Sequence, residues 1–257
     1  MKYIVLSSLL LSLIIQPQLP AEDTKPKKEA KTKIPSDTIF FGKAQGEGAK
    51  TRLFILSGQS NMAALRHQES MVPILENAFP NDSLILVKHA RNGQLIVRWV
   101  ADWKPVGEWA SKGNRLAPGN NQLYQQLIKR LQEAVTGKTI DSVSFIWMQG
   151  EADAKNGQSE NYADALRSLV QQLRTDTGVE TITVVIGRLS DHLSGEEHWD
   201  RIRSVQVEVC EANPLFTWVD TDEYNGKHNG LHYTADGYQK LGESFATETV
   251  KLLKNQE

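Results

Sequence analysis

Short β-rich apolar runs alternate with amphipathic helical stretches along this chain, which predicts an α/β protein on a doubly wound, largely parallel sheet. Three observations carry that prediction. Five apolar runs read as continuous rather than alternating, as strands buried on both faces do. Helical stripes lie between them. Polar segments with chemical potential fall just beyond the strand runs, at the carboxyl edge where such sheets bind ligands.

The expected strands are Leu53 to Leu56, Ser83 to Lys88, Val143 to Trp147, Ile182 to Ile186 and Phe216 to Val219, which makes a five-stranded sheet. The first helical stripe is Leu123, Leu127 and Leu131, at i, i+4 and i+8. The second is Tyr162, Leu166, Leu169 and Leu173, and the third Ile202, Val205 and Val209. Tyr238, Leu241 and Phe245 begin the last, which Leu252 continues. These stripes are core faces.

Ahead of this pattern stands different material. Met1-Lys2 precedes a run from Tyr3 to Ile15 rich in Leu, Ile, Val and Ser. It is too short to span a bilayer and fits the core of a signal peptide over residues 1–21, with Ala21 before the cut. Residues 22–45 open with a Lys, Glu, Thr and Pro-rich stretch expected to be a flexible leader, leaving 46–257 as one domain. The expected location is therefore secreted or periplasmic, with no membrane span once the signal is removed. The single cysteine, Cys210, rules out an internal disulfide and reads as a core residue. The 29 basic and 31 acidic residues balance and form no basic stripe, so nucleic acid is not an expected partner.

Two segments carry the chemistry. Leu56-Ser57-Gly58-Gln59-Ser60-Asn61-Met62 follows the first strand, and a Gly turn there presents Ser60 at the start of a helix. Its Oγ would stand clear of the sheet, with its N–H facing the same space. Asn229-Gly230-Leu231-His232-Tyr233-Thr234 leads into the last helix. A serine and a histidine, each at a strand-to-helix junction, suit nucleophile and base in ester hydrolysis. Oxyanion donors would be the N–H groups of Ser60 and Gly93 and the side-chain amide of Gln149.

Gly58-Gln59-Ser60-Asn61-Met62, Trp147-Met148-Gln149-Gly150-Glu151-Ala152-Asp153, and Gly230-Leu231-His232-Tyr233-Thr234 with Gly237 and Leu241-Gly242 together resemble one family. It is the sialate O-acetylesterase and acetylxylan esterase branch of the SGNH hydrolases, and the resemblance spans about Arg52 to Ala246. It implies a flavodoxin-like three-layer α/β/α fold and removal of acetyl groups from O-acetylated saccharides, with no cofactor and no metal. It also implies Ser60 and His232 as the catalytic pair, with Gly93, Gln149 and Asn61 around the oxyanion and substrate.

The chain departs from the family at two places. The acid usually found three residues before the histidine is here Asn229, which can accept from an imidazole N–H but cannot balance an imidazolium charge. The expectation is a Ser60–His232 dyad supported by Glu151, with Asn229 as a neutral orienter and Asp220 and Asp222 as other sources of a carboxylate. The family's histidine before Gln-Gly-Glu is here Met148. Two other readings are a catalytically decayed exported carbohydrate binder, which Asn229 favours, and an SGNH esterase for other acyl esters. Trp99, Trp103 and Trp109 are candidates for stacking on sugars, and His67 and Glu69 are expected in solvent.

Overall fold

The computed structural model describes residues 37–101 and 121–257. The expected signal peptide, most of the expected leader, Trp103 and Trp109 lie outside the described residues.

Among the described residues six strands form one sheet in the order β1-β3-β2-β4-β5-β6. They are β1 (Thr38–Gly42), β2 (Thr51–Gly58), β3 (Ser83–Ala90), β4 (Ser142–Met148), β5 (Thr183–Gly187) and β6 (Phe216–Val219). The last five are mutually parallel, whereas β1 lies antiparallel on the edge of β3 with Phe40 opposite Ile85. The expected count of five is thus corrected to six. The added strand falls inside the stretch expected to be a flexible leader. Its partly exposed edge position needs no continuous apolar run, so it carries no strong signal.

On one face pack the short helices α1 (Ser60–Ala64), α2 (His67–Ser70) and α3 (Val72–Ala78), with the C-terminal helix α8 (Ala235–Lys254). On the other lie α4 (Gln122–Val135) against β3 and α7 (Glu197–Glu211) against β6, with α6 (Tyr162–Thr177) beside α7. The one-turn helix α5 (Glu151–Lys155) follows β4 directly. This is the expected three-layer α/β/α arrangement. The stripe residues Leu127, Leu169, Ile202 and Leu241 are fully buried, and Cys210 is buried with its thiol on the Thr217 carbonyl at 3.1 Å. At the start of α8, Thr234 Oγ1 accepts from the Gly237 N–H at 3.0 Å, an N-cap that fixes where the helix begins.

The parallel register aligns the ends of β2, β3 and β4, with Gly58 opposite both Ala90 and Met148. The segments after these strands therefore emerge side by side, at the edge that carries the candidate site.

Candidate active site

The site is shaped first by two strand-end glycines. Gly58 has φ +140°, and a Cβ there would sit 1.9 Å from the Met148 carbonyl oxygen. Only glycine lets the chain turn this close to β4, and the next residue then donates its N–H to that same carbonyl (Gln59 N to Met148 O, 2.9 Å). Gly150 has φ +139° and is enclosed by Ile202, Gln206 and Tyr162. These turns launch α1 and α5 from neighbouring strands, Ser60 being the first residue of one and Glu151 of the other.

Gln59 and Asn61, flanking Ser60, bind the two turns together. Gln59 is buried, and its side-chain oxygen accepts from the Ala152 N–H at 3.2 Å. Asn61 is 1% exposed and makes three internal hydrogen bonds. Its Nδ2 donates to Glu151 Oε1 at 2.8 Å and to the Leu231 carbonyl at 3.1 Å, while its Oδ1 accepts from the Tyr238 hydroxyl at 3.0 Å. One amide thus joins the serine helix to α5, to α8 and to the backbone immediately before His232. Asn61, expected around the oxyanion and substrate, has its polar atoms committed inside the protein.

The structure brings Ser60 and the His232 segment to the same edge through this bridge, with Ser60 half-buried and His232 exposed. Among the described residues no hydrogen bond joins the Ser60 hydroxyl to the His232 ring. Tyr233, next in sequence, is buried and donates to Thr221 Oγ1 at 2.8 Å, which ties the histidine segment to the end of β6.

The expected supports of the imidazole are placed elsewhere. Glu151 accepts from Asn61 and makes no bond to His232. It is fully buried, and its Oε2 has no partner. Burial, partly offset by the hydrogen bond from Asn61, raises its pKa to about 7. Asn229 adopts φ +42° and is exposed. Its Oδ1 accepts from Asn225 Nδ2 at 2.6 Å, and its Nδ2 faces the Asp191 carbonyl at 3.4 Å. The Asn229 carbonyl meets His192 Nδ1 at 2.6 Å. Asp222 is held by Arg203 (2.7 Å) and Arg188 (2.9 Å), and Asp220 by Arg188 (2.6 Å).

Gln149 is fully buried and donates through Nε2 to the Gln94 carbonyl at 3.0 Å and to Asp153 Oδ2. Both amide protons are therefore engaged, which is a different use from the expected oxyanion contact. Asp153 also accepts from the Ile96 N–H at 3.0 Å, so α5 grips the loop that follows β3. Burial raises the Asp153 pKa to about 7 as well. Gly93 lies in that loop at φ +64°, with open space around its Cα. Its N–H and that of Ser60 remain as candidate oxyanion donors.

Two sequence expectations are corrected here. Trp99 is fully buried, donating to Ser57 Oγ at 3.0 Å and packing edge-on against Trp147, so it anchors the core and has no face for a sugar. His67 is also buried, since α2 turns back under α8, and burial together with the nearby Lys88 ammonium lowers its pKa to about 4.

The α/β/α sheet thus carries the helix that Ser60 begins and the His232 segment at its carboxyl edge. The family model described as carbohydrate esterase, sialic acid-specific acetylesterase matches residues 65–251, and the chain belongs to that family. Its fold is similar to that of an Arabidopsis thaliana protein of known structure (TM-score 0.55, 21% identity, covering 79% of this chain and 98% of that one). It is also similar to a carbohydrate acetylesterase from Xanthomonas citri (TM-score 0.54, 17% identity, covering 77% of this chain and 55% of that one). A third similar structure is NanS (TM-score 0.51, 11% identity, covering 81% and 98%). No curated protein matches the chain. Among the described residues no helix is long and apolar enough to cross a membrane.

Proposed function

We propose that this protein is an exported carbohydrate O-acetylesterase that works through an acetyl-serine intermediate on Ser60. The observation that carries the reading is the Asn61 bridge, which holds the backbone of the His232 segment against the helix that Ser60 begins. Family membership supports acetyl esters of saccharides as the substrate class.

In the proposed reaction Ser60 Oγ attacks the acetyl carbonyl carbon while the His232 imidazole takes its proton. The oxyanion is received by the N–H groups of Ser60 and Gly93. The first belongs to the opening turn of α1, where no intrahelical acceptor exists. Collapse expels the saccharide oxygen, protonated by the imidazolium. Water, deprotonated by His232, then attacks acetyl-Ser60, and the imidazolium returns the proton to Ser60 Oγ as acetate leaves. Glu151 acts as a positioning residue, accepting from the same Asn61 amide nitrogen that bonds the histidine segment. Asn229 shapes the loop before His232 through Asn225 and Asp191.

Hydrolysis of p-nitrophenyl acetate by the wild type, Ser60→Ala and His232→Ala tests this directly. The expected result is activity in the wild type and near-complete loss in both variants; equal rates in all three would sink the assignment. One observation favours the second reading, a binder that has lost catalysis: among the described residues no carboxylate bonds to the His232 ring. A wild type that binds acetylated saccharide but releases no acetate would establish that reading instead.

A further inference from the structure

We infer that Lys88 is a positioning residue for the nucleophile, holding the far end of the helix that begins at Ser60. This inference rests on the serine-esterase reading above. Lys88 lies in β3, opposite Leu56 of β2, and is only 7% exposed. Its ammonium donates to the Ala63 carbonyl at 2.8 Å and to the Leu65 carbonyl at 2.8 Å. These carbonyls lie at the C-terminal end of α1, a five-residue helix with little intrinsic stability. A buried cation there supplies the partners that such a helix end lacks and fixes its axial position.

A lysine is a costly choice at a core-facing strand position, because burial disfavours its charged form. The charge has little local compensation. Asp37, before β1, is the carboxylate that acts on it, and His67 of α2 is held neutral beside it. Burial lowers the Lys88 pKa to about 8, against the opposing pull of Asp37. By helical rise the ammonium stands roughly 8–10 Å from Ser60. A unit charge at that separation changes the stability of an oxyanion enough to alter the rate roughly ten- to thirtyfold. Lys88 thus acts through α1 in two ways: its bonds set where Ser60 stands, and its charge cancels the negative end of the helix.

The test is kinetic, with p-nitrophenyl acetate, on the wild type, Lys88→Arg, Lys88→Met and Ser60→Ala, each checked by thermal melting. Arg keeps the charge and donors, whereas Met keeps only the alkyl stem. The expected result is a kcat within about threefold of wild type for Arg, and a loss of roughly ten- to thirtyfold in kcat at unchanged KM for Met. Should Lys88→Met not fold, the pH profiles of wild type and Lys88→Arg decide the matter. The wild-type kcat is expected to decline as pH rises through about 8, where Lys88 loses its charge, and the Arg variant is expected to lack that decline. Equal kcat in the Arg and Met variants, a loss confined to KM, or the same alkaline limb in wild type and Arg variant would overturn the role of Lys88 alone. Activity retained in Ser60→Ala would overturn the esterase assignment and this role with it.

Discussion

Replacing Glu151 by Gln should change how stability depends on pH in a calculable way. Glu151 is enclosed at the start of α5, with Asn61 as its side-chain partner and one oxygen unpartnered. Burial holds its folded pKa at about 7, above the ordinary 4.5. Between those values the native state holds a proton that the unfolded chain has released, so stability is full at low pH and falls as pH rises. Each pH unit in that window costs about 1.4 kcal/mol, or about 3 kcal/mol across it. Glu151→Gln keeps the shape and the acceptor for Asn61 but cannot ionise. Urea unfolding of wild type and variant at pH 5 and pH 8 measures the effect. The variant should gain about 2.5 kcal/mol relative to wild type between the two conditions. Asp153 is raised for the same reason and remains in both proteins, so a residual slope should persist in the variant. A stability difference between the two proteins that is the same at pH 5 and pH 8 would refute the buried, reluctantly ionised carboxyl.

Other consequences follow from the same geometry. Asn61→Ala removes three hydrogen bonds in one buried place and should cost about 2–4 kcal/mol in thermal unfolding, with a parallel fall in kcat. Gly58→Ala places a methyl group against the Met148 carbonyl at φ +140° and should cost more than about 3 kcal/mol, visible as loss of soluble protein or of the cooperative melt. Asn229→Asp should change esterase activity by less than about threefold, because the side chain is engaged by Asn225 and Asp191 and does not touch His232; a large gain in kcat would show that the loop can turn a carboxylate onto the ring.

The sheet and its helices were legible because burial leaves a plain imprint. β2, β3 and β4 each carry a buried apolar run at their centre, and the stripe through Leu166 and Leu173 marks the face that α6 buries. β1 left no such imprint, since it is short, partly exposed and defined by pairing with β3 rather than by its own composition. The glycine-bounded turns at Gly58 and Gly150 were visible as motifs, yet the use of the residues beside them was not. Asn61 and Gln149 carry side chains able to face either a ligand or the protein, and only the fold shows their amides spent on Glu151, Leu231, Gln94 and Asp153. Lys88 and His67 escaped for the related reason that a charged or titratable residue in sequence gives no sign of burial. The lysine's partners are backbone carbonyls, which any residue provides.

The most direct measurement is acetate release from O-acetylated sialic acid and from acetylated xylan by the wild type and by Ser60→Ala. The account predicts release by the wild type from at least one of these saccharides, and its loss in Ser60→Ala while the variant keeps the wild-type melting temperature. Undiminished release by a folded Ser60→Ala protein would contradict it.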